Sequence, residues 1–103
     1  LEVGWHPCLT LDRPVLPPAA VPSLVGPGGR FWPLGAFLAR LLAGLVRRDE
    51  VRAELAAQLA RFTELTGGPP PCVNAHHHVH AFPPVRDALL GVLAGVRPRP
   101  FVR

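Results

Sequence analysis

Methionine, lysine, isoleucine and tyrosine are all missing from this 103-residue chain, so every one of its 11 basic residues is arginine. Together with the abundance of Pro, Gly, Ala, Leu and Val, this reads as a coding bias towards GC-rich codons. It weakens any inference from the formal charge of +4. Arg47, Arg48 and Arg52 form the tightest basic group and read as a solvated helix face. A basic stripe with interleaved aromatics, the footprint of a nucleic-acid binder, is lacking. No apolar run is long enough to span a membrane, because the segment 34–46 is short and carries Arg40. There are only two cysteines, Cys8 and Cys72, without CxxC spacing, and the expectation is a pair of reduced thiols in a cytoplasmic protein. With no initiator methionine, Leu1-Glu2-Val3 reads as the middle of a strand and residues 98–103 as the start of another. The chain therefore reads as an internal fragment, truncated at both ends. A Ser-His-Asp set, an HExxH pattern and a phosphate-binding loop are also wanting. Gly26-Pro27-Gly28-Gly29 has no Lys-Ser/Thr after it and reads as a turn.

Histidine is what the chain does have. Four of its five histidines fall in Asn74-Ala75-His76-His77-His78-Val79-His80. If this segment is extended, His76, His78 and His80 share one face and His77 points the other way. Neutral imidazole is a common ligand for zinc and other first-row metals, and a His-x-His pair on one strand face can hold one ion. A surface run of histidines is the plain alternative. An expression tag would sit at a terminus, however, and clustered imidazoles repel one another once protonated. The fifth histidine, His6, must be brought in by the fold if it belongs to the same site.

In chain order, residues 2–10 read as a short strand ending near His6, since Pro7 follows. Residues 11–33 hold six prolines and three glycines and form a long irregular loop. Val15, Leu16, Val21, Leu24, Val25, Phe31 and Trp32 imply that this loop packs against something. A helix is expected over 34–47. A second is expected over about 50–66, with Asp49 as N-cap and an apolar stripe of Val51, Leu55, Leu59, Phe62 and Leu65. Glu54, Arg61 and Glu64 fall outside that stripe. Gly67-Gly68 stops the second helix. Cys72–Ala75 is a short buried strand, Pro83 or Pro84 opens a third helix that Gly95 ends, and Phe101-Val102 is the next strand. Asp12 and Asp87 read as a loop carboxylate and a first-turn helix carboxylate. The alternation predicts an α/β fold with a parallel sheet and ligands at the carboxyl ends of the strands.

Residues 70–80, Pro-Pro-Cys-Val-Asn-Ala-His-His-His-Val-His, followed by Pro83, resemble the His-rich signature of the YdjC-like (ChbG/HpnK) carbohydrate deacetylases. Gly4-Trp5-His6-Pro7-Cys8-Leu9-Thr10 with Arg13-Pro14-Val15 is similar to that family's earlier G-x-H-x-x-L-T segment. Gly29-Arg30-Phe31 and Gln58-Leu59-Ala60-Arg61-Phe62 fit the spacer between the two motifs. The resemblance implies part of a distorted TIM-like (β/α) barrel. It also implies a divalent metal, Mg2+ or Zn2+, held by one Asp and two His. The histidines map onto His6 and His76, with Asn74, His78 and His80 as neighbouring or substrate-side groups. The implied reaction removes acetyl groups from N-acetylated sugars, and the implied partner is an N-acetylated sugar or glycolipid. Asn74-Ala75-His76 and Arg13-Pro14-Val15-Leu16-Pro17-Pro18 look like the hopanoid-associated branch. The family's N-terminal Asp-Asp motif and C-terminal His-Pro segment lie beyond this chain. As a fragment it is expected to be inactive and marginally stable, with sheet edges unpaired. The rival expectation is a non-catalytic metal-binding or interaction module. A homodimer is compatible with either.

Overall fold

A computed structural model describes residues 4–70, 72–73 and 82–96, together with the backbone of 101–102. Parallel pairing of very short segments organises these residues. Strand β1 (Cys72–Val73) pairs in parallel with β2 (Phe101–Val102), Cys72 opposite Phe101 and Val73 opposite Val102. On the other side of β1, Trp5 forms a parallel bridge to Val73, and its N–H donates to the Cys72 carbonyl at 2.9 Å. The spatial order is thus Trp5, β1, β2, with helices in both connections. This is the expected α/β succession with parallel neighbours. Gly4 permits the close approach, because a Cβ there would sit 2.7 Å from the Cys72 Sγ.

Helix α1 (Leu34–Leu42) is shorter than the expected 34–47. Gly44, at φ 74°, ends it, with Leu45 N–H donating back to the Arg40 carbonyl at 2.9 Å. This is a glycine-dependent C-terminal closure that the apolar run 41–46 concealed. Helix α2 (Arg48–Thr66) starts earlier than expected, with Arg47 and not Asp49 at the N-cap. The Arg47 N–H is satisfied by the Ser23 hydroxyl at 3.0 Å, so a distant loop supplies the cap that the local sequence seemed to need from Asp49. Asp49 and Glu50 occupy the first turn instead, where the helix dipole favours negative charge. Gly67 closes the helix at φ 82°, as its position predicted. Helix α3 (Pro83–Leu93) begins with Pro83 in the first turn, where a missing N–H costs nothing.

α2 packs on α3. Val51, Leu55, Val85, Ala88, Leu89 and Leu93 join Trp5, Val73 and Phe37 of α1 in one buried cluster. Leu59 and Phe62 pack at its margin, whereas Leu65, expected in the stripe, is 73% exposed. The stripe reaches the core only as far as α3 covers it. The loop 11–33 does pack inward: Val21, Leu24 and Phe31 are buried, while Val15 is exposed. Two short 3-10 turns (Pro18–Ala20 and Pro27–Gly29) punctuate it, and a Val25–Phe31 bridge closes the expected turn at 26–29. Cys8 and Cys72 are free thiols, as expected.

Candidate active site

Trp5 sets the position of the first candidate. His6 follows the bridged residue immediately and is exposed. It lines an open cavity of about 360 Å3 together with Cys8, Thr10, Leu11 and Asp12. The fold thus sets an imidazole and a carboxylate around one cavity. Asp12 is exposed there, and one of its oxygens accepts from the Arg13 N–H at 2.8 Å. Leu11 adopts φ 65°, the left-handed region that a bulky side chain rarely enters. Its conformation is held by backbone bonds to the end of the loop. Leu11 N–H donates to the Trp32 carbonyl at 3.2 Å, and Phe31 N–H to the Asp12 carbonyl at 2.7 Å. Strain of this kind persists only where the surroundings over-determine it, and it clusters at functional sites.

Cys8 is half-buried in the same wall. Its thiol donates to the Thr10 carbonyl at 3.1 Å. Burial pushes this thiol above its ordinary value, and the nearby Asp12 and Glu54 carboxylates add to the rise against the opposing effect of the Thr10 bond. A thiol held protonated is a structural group and a poor nucleophile.

Beneath this wall α2 presents a polar stripe. Glu50, Glu54 and Gln58, spaced four apart, lie on one face of the helix. Glu54 is fully buried. Its two carboxylate oxygens accept from Val15 N–H at 2.9 Å and Leu16 N–H at 3.0 Å, and Oε2 also accepts from the Gln58 side-chain amide at 2.7 Å. Gln58 pairs with the Cys8 backbone in both directions. Its Oε1 accepts from Cys8 N–H at 2.9 Å, and its Nε2 donates to the Cys8 carbonyl at 2.7 Å. Glu50 accepts from both the N–H and the hydroxyl of Ser23 at 2.8 Å, and Arg47 lies 3.4 Å away. Residues 8, 15–16 and 23 are therefore pinned in succession to residues 58, 54 and 50, and the loop runs antiparallel to the helix. Sequence reading left Glu54 outside the apolar stripe and gave Gln58 only a place in a spacer motif. The available signal was the four-residue repeat Glu50, Glu54, Gln58 alongside the apolar one.

The remaining sequence candidates, His76, Asn74, His78 and His80, lie outside the described residues. Among the described residues no three His, Cys, Asp or Glu side chains gather as a metal site. Asp87 is an exposed α3 carboxylate 4.0 Å from Arg86. It lies past the first turn, in which it was expected, because the helix already starts at Pro83. Arg47, Arg48 and Arg52 are exposed. No helix among the described residues is long and apolar enough to cross a membrane.

Comparison with known proteins gives a consistent picture. The family model for YdjC-like proteins matches residues 1–103. A chitooligosaccharide deacetylase from Yersinia enterocolitica is 43% identical over 86 residues, which is 82% of this chain and 32% of the relative. A carbohydrate deacetylase from Mus musculus is also 43% identical over 86 residues, or 82% of this chain and 28% of that protein. A crystal structure of an Enterococcus faecalis protein, provisionally assigned to cellobiose-phosphate cleavage, superposes with a TM-score of 0.71 at 38% identity, covering 91% of this chain and 34% of that one. The chain spans about a third of the length of the relatives it matches.

Proposed function

Because this chain belongs to the YdjC-like protein family, we propose that it is part of a metal-dependent carbohydrate deacetylase that removes acetyl groups from N-acetylated sugars. The names of its relatives, chitooligosaccharide and carbohydrate deacetylases, support a sugar substrate. In the whole protein the parallel strand–helix succession is a section of a (β/α) barrel, whose active face lies at the carboxyl ends of its strands.

The observation that carries this reading is the parallel pairing of Trp5 with Val73. Parallel neighbours run in the same direction, so His6 and the carboxyl end of β1 at Val73 stand at the same end of the sheet. The donor chemistry of His6 suits a divalent ion, since it is an exposed imidazole lining an open cavity. His6 and His76 would hold the metal, with an aspartate from chain preceding this segment as third ligand. Asn74, His78 and His80 would hydrogen-bond the ligands or face the sugar. A bound Zn2+ or Mg2+ would polarise the acetamide carbonyl and lower the pKa of water. The cavity beside His6 would orient the acetamide, and the protonated Cys8 would take no covalent part.

The full-length protein is expected to release acetate from N-acetylated chitooligosaccharides, to lose that activity with a chelator and regain it with Zn2+ or Mg2+. His76→Ala is expected to abolish both activity and metal affinity. Undiminished activity in that variant would overturn the assignment. Metal binding without acetate release from any N-acetylated sugar would favour a non-catalytic module.

A further inference from the structure

We propose that Gln58 and Glu54 are positioning residues that set the cavity wall at residues 6–12, and through it the direction of His6. This rests on the reading of His6 as a metal ligand. Three observations converge. First, Gln58 is the side-chain partner of both polar groups of the Cys8 backbone, and Cys8 stands two residues after His6. A primary amide that meets both the N–H and the C=O of one residue restrains the two peptide planes flanking that residue at once. Second, Glu54 decides which way the Gln58 amide faces. A carboxylate only accepts, so Nε2 must point at Glu54 Oε2, and Oε1 is left to meet the Cys8 N–H. Glu54 is itself fixed from the other side by the N–H groups of Val15 and Leu16. Third, the wall between these two attachment points contains the left-handed Leu11, a conformation that needs outside support.

The arrangement is more specific than packing requires. A loop held only by apolar contacts could shift by an ångström at little cost, whereas a paired amide with a buried carboxylate behind it has one satisfied geometry. Partners behind a metal ligand ordinarily act by fixing its orientation. Here the constraint reaches His6 through two residues of backbone.

The test is calorimetric titration of the full-length protein with Zn2+ alone, combined with amide hydrogen exchange at Cys8. Gln58→Ala is expected to speed exchange at Cys8 about tenfold. It is also expected to weaken Zn2+ affinity about tenfold or more. Leu59→Ala, on the same helix and packed at the core margin, is the control. It should lower the unfolding temperature while leaving Cys8 exchange and Zn2+ affinity at the wild-type values. His6→Ala separates this proposal from the reading beneath it. Weakened Zn2+ binding in His6→Ala with unchanged binding in Gln58→Ala overturns the positioning role and leaves the metal reading intact. Unchanged binding in His6→Ala overturns the metal reading, and the positioning role with it. Unchanged Cys8 exchange in Gln58→Ala overturns the clamp itself. If Gln58→Ala lowers the unfolding temperature no more than Leu59→Ala yet alone weakens Zn2+ binding, the positioning role is supported.

Discussion

The two sides of α2 do the same task by opposite physics. One side carries Val51 and Leu55, fully buried in the cluster shared with Val85 and Leu89 of α3. The other carries Glu50, Glu54 and Gln58, which hold the loop at Ser23, at Val15 and Leu16, and at Cys8. Apolar burial is non-directional and scales with area, so it fixes that the helices meet but tolerates repacking. Hydrogen bonds to a buried carboxylate are directional, and each missing partner leaves an unsatisfied group. The α3 side gives the segment its cohesion. The loop side gives it a defined shape next to His6, where a small displacement would matter if His6 holds the proposed metal.

Truncation breaks the comparison most severely. Glu54→Ala strands two backbone N–H groups and the Gln58 amide, and at about 1–3 kcal/mol for each unsatisfied buried group the expected loss is about 4 kcal/mol by denaturant unfolding. Leu55→Ala is expected to cost about 3 kcal/mol in the same assay, within the range for a buried leucine. Conservative exchanges sharpen the contrast. Leu55→Met should cost less than about 1.5 kcal/mol, because shape and volume can readjust. Glu54→Gln should cost about 2 kcal/mol, because an amide NH2 then faces a donor. Equal costs for the two conservative exchanges would refute the distinction drawn between the two sides.

Cys8 offers a smaller probe of the loop side. Its thiol pKa is raised by burial in the folded state. Between the ordinary thiol value of about 8.5 and the raised folded value, the unfolded chain binds fewer protons than the folded one. Stability contributed by the thiol is therefore complete below about pH 8.5 and declines as pH rises through the folded pKa. Unfolding measured from pH 7 to 10 should show this decline, and Cys8→Ser, whose hydroxyl can still donate to the Thr10 carbonyl, should flatten it. The smallest effect belongs to Leu65, which neither side uses. Leu65→Glu should change stability by no more than about 0.5 kcal/mol, and a larger loss would mean that α2 is covered at that point in the whole protein.

How much of this was readable from the chain follows the same division. Val51, Leu55, Leu89 and the Gly67 stop were visible because periodicity and glycine conformation are local properties. The Gly44 stop was obscured by the apolar residues around it, and Asp49 looked like a cap because Ser23, which meets the Arg47 N–H, is 24 residues away. His6 was picked out by its motif, while Glu54 passed as a polar residue beside the apolar stripe, since nothing local marks a carboxylate whose partners lie 38 and 39 residues earlier.

The sequence by itself determined the helices, their apolar faces, the loop's need to pack, and the histidine motifs around His6 and His76 that carry the family resemblance. Those features depend on neighbours within a few positions or on residue identity alone. Only the tertiary structure decided that Trp5 and Val73 are parallel neighbours. It alone decided that Leu11 is strained beside His6, and that a buried Glu54–Gln58 pair dictates the backbone there. Each of these is a directional contact between residues far apart in sequence, and such contacts exist only once the chain has folded.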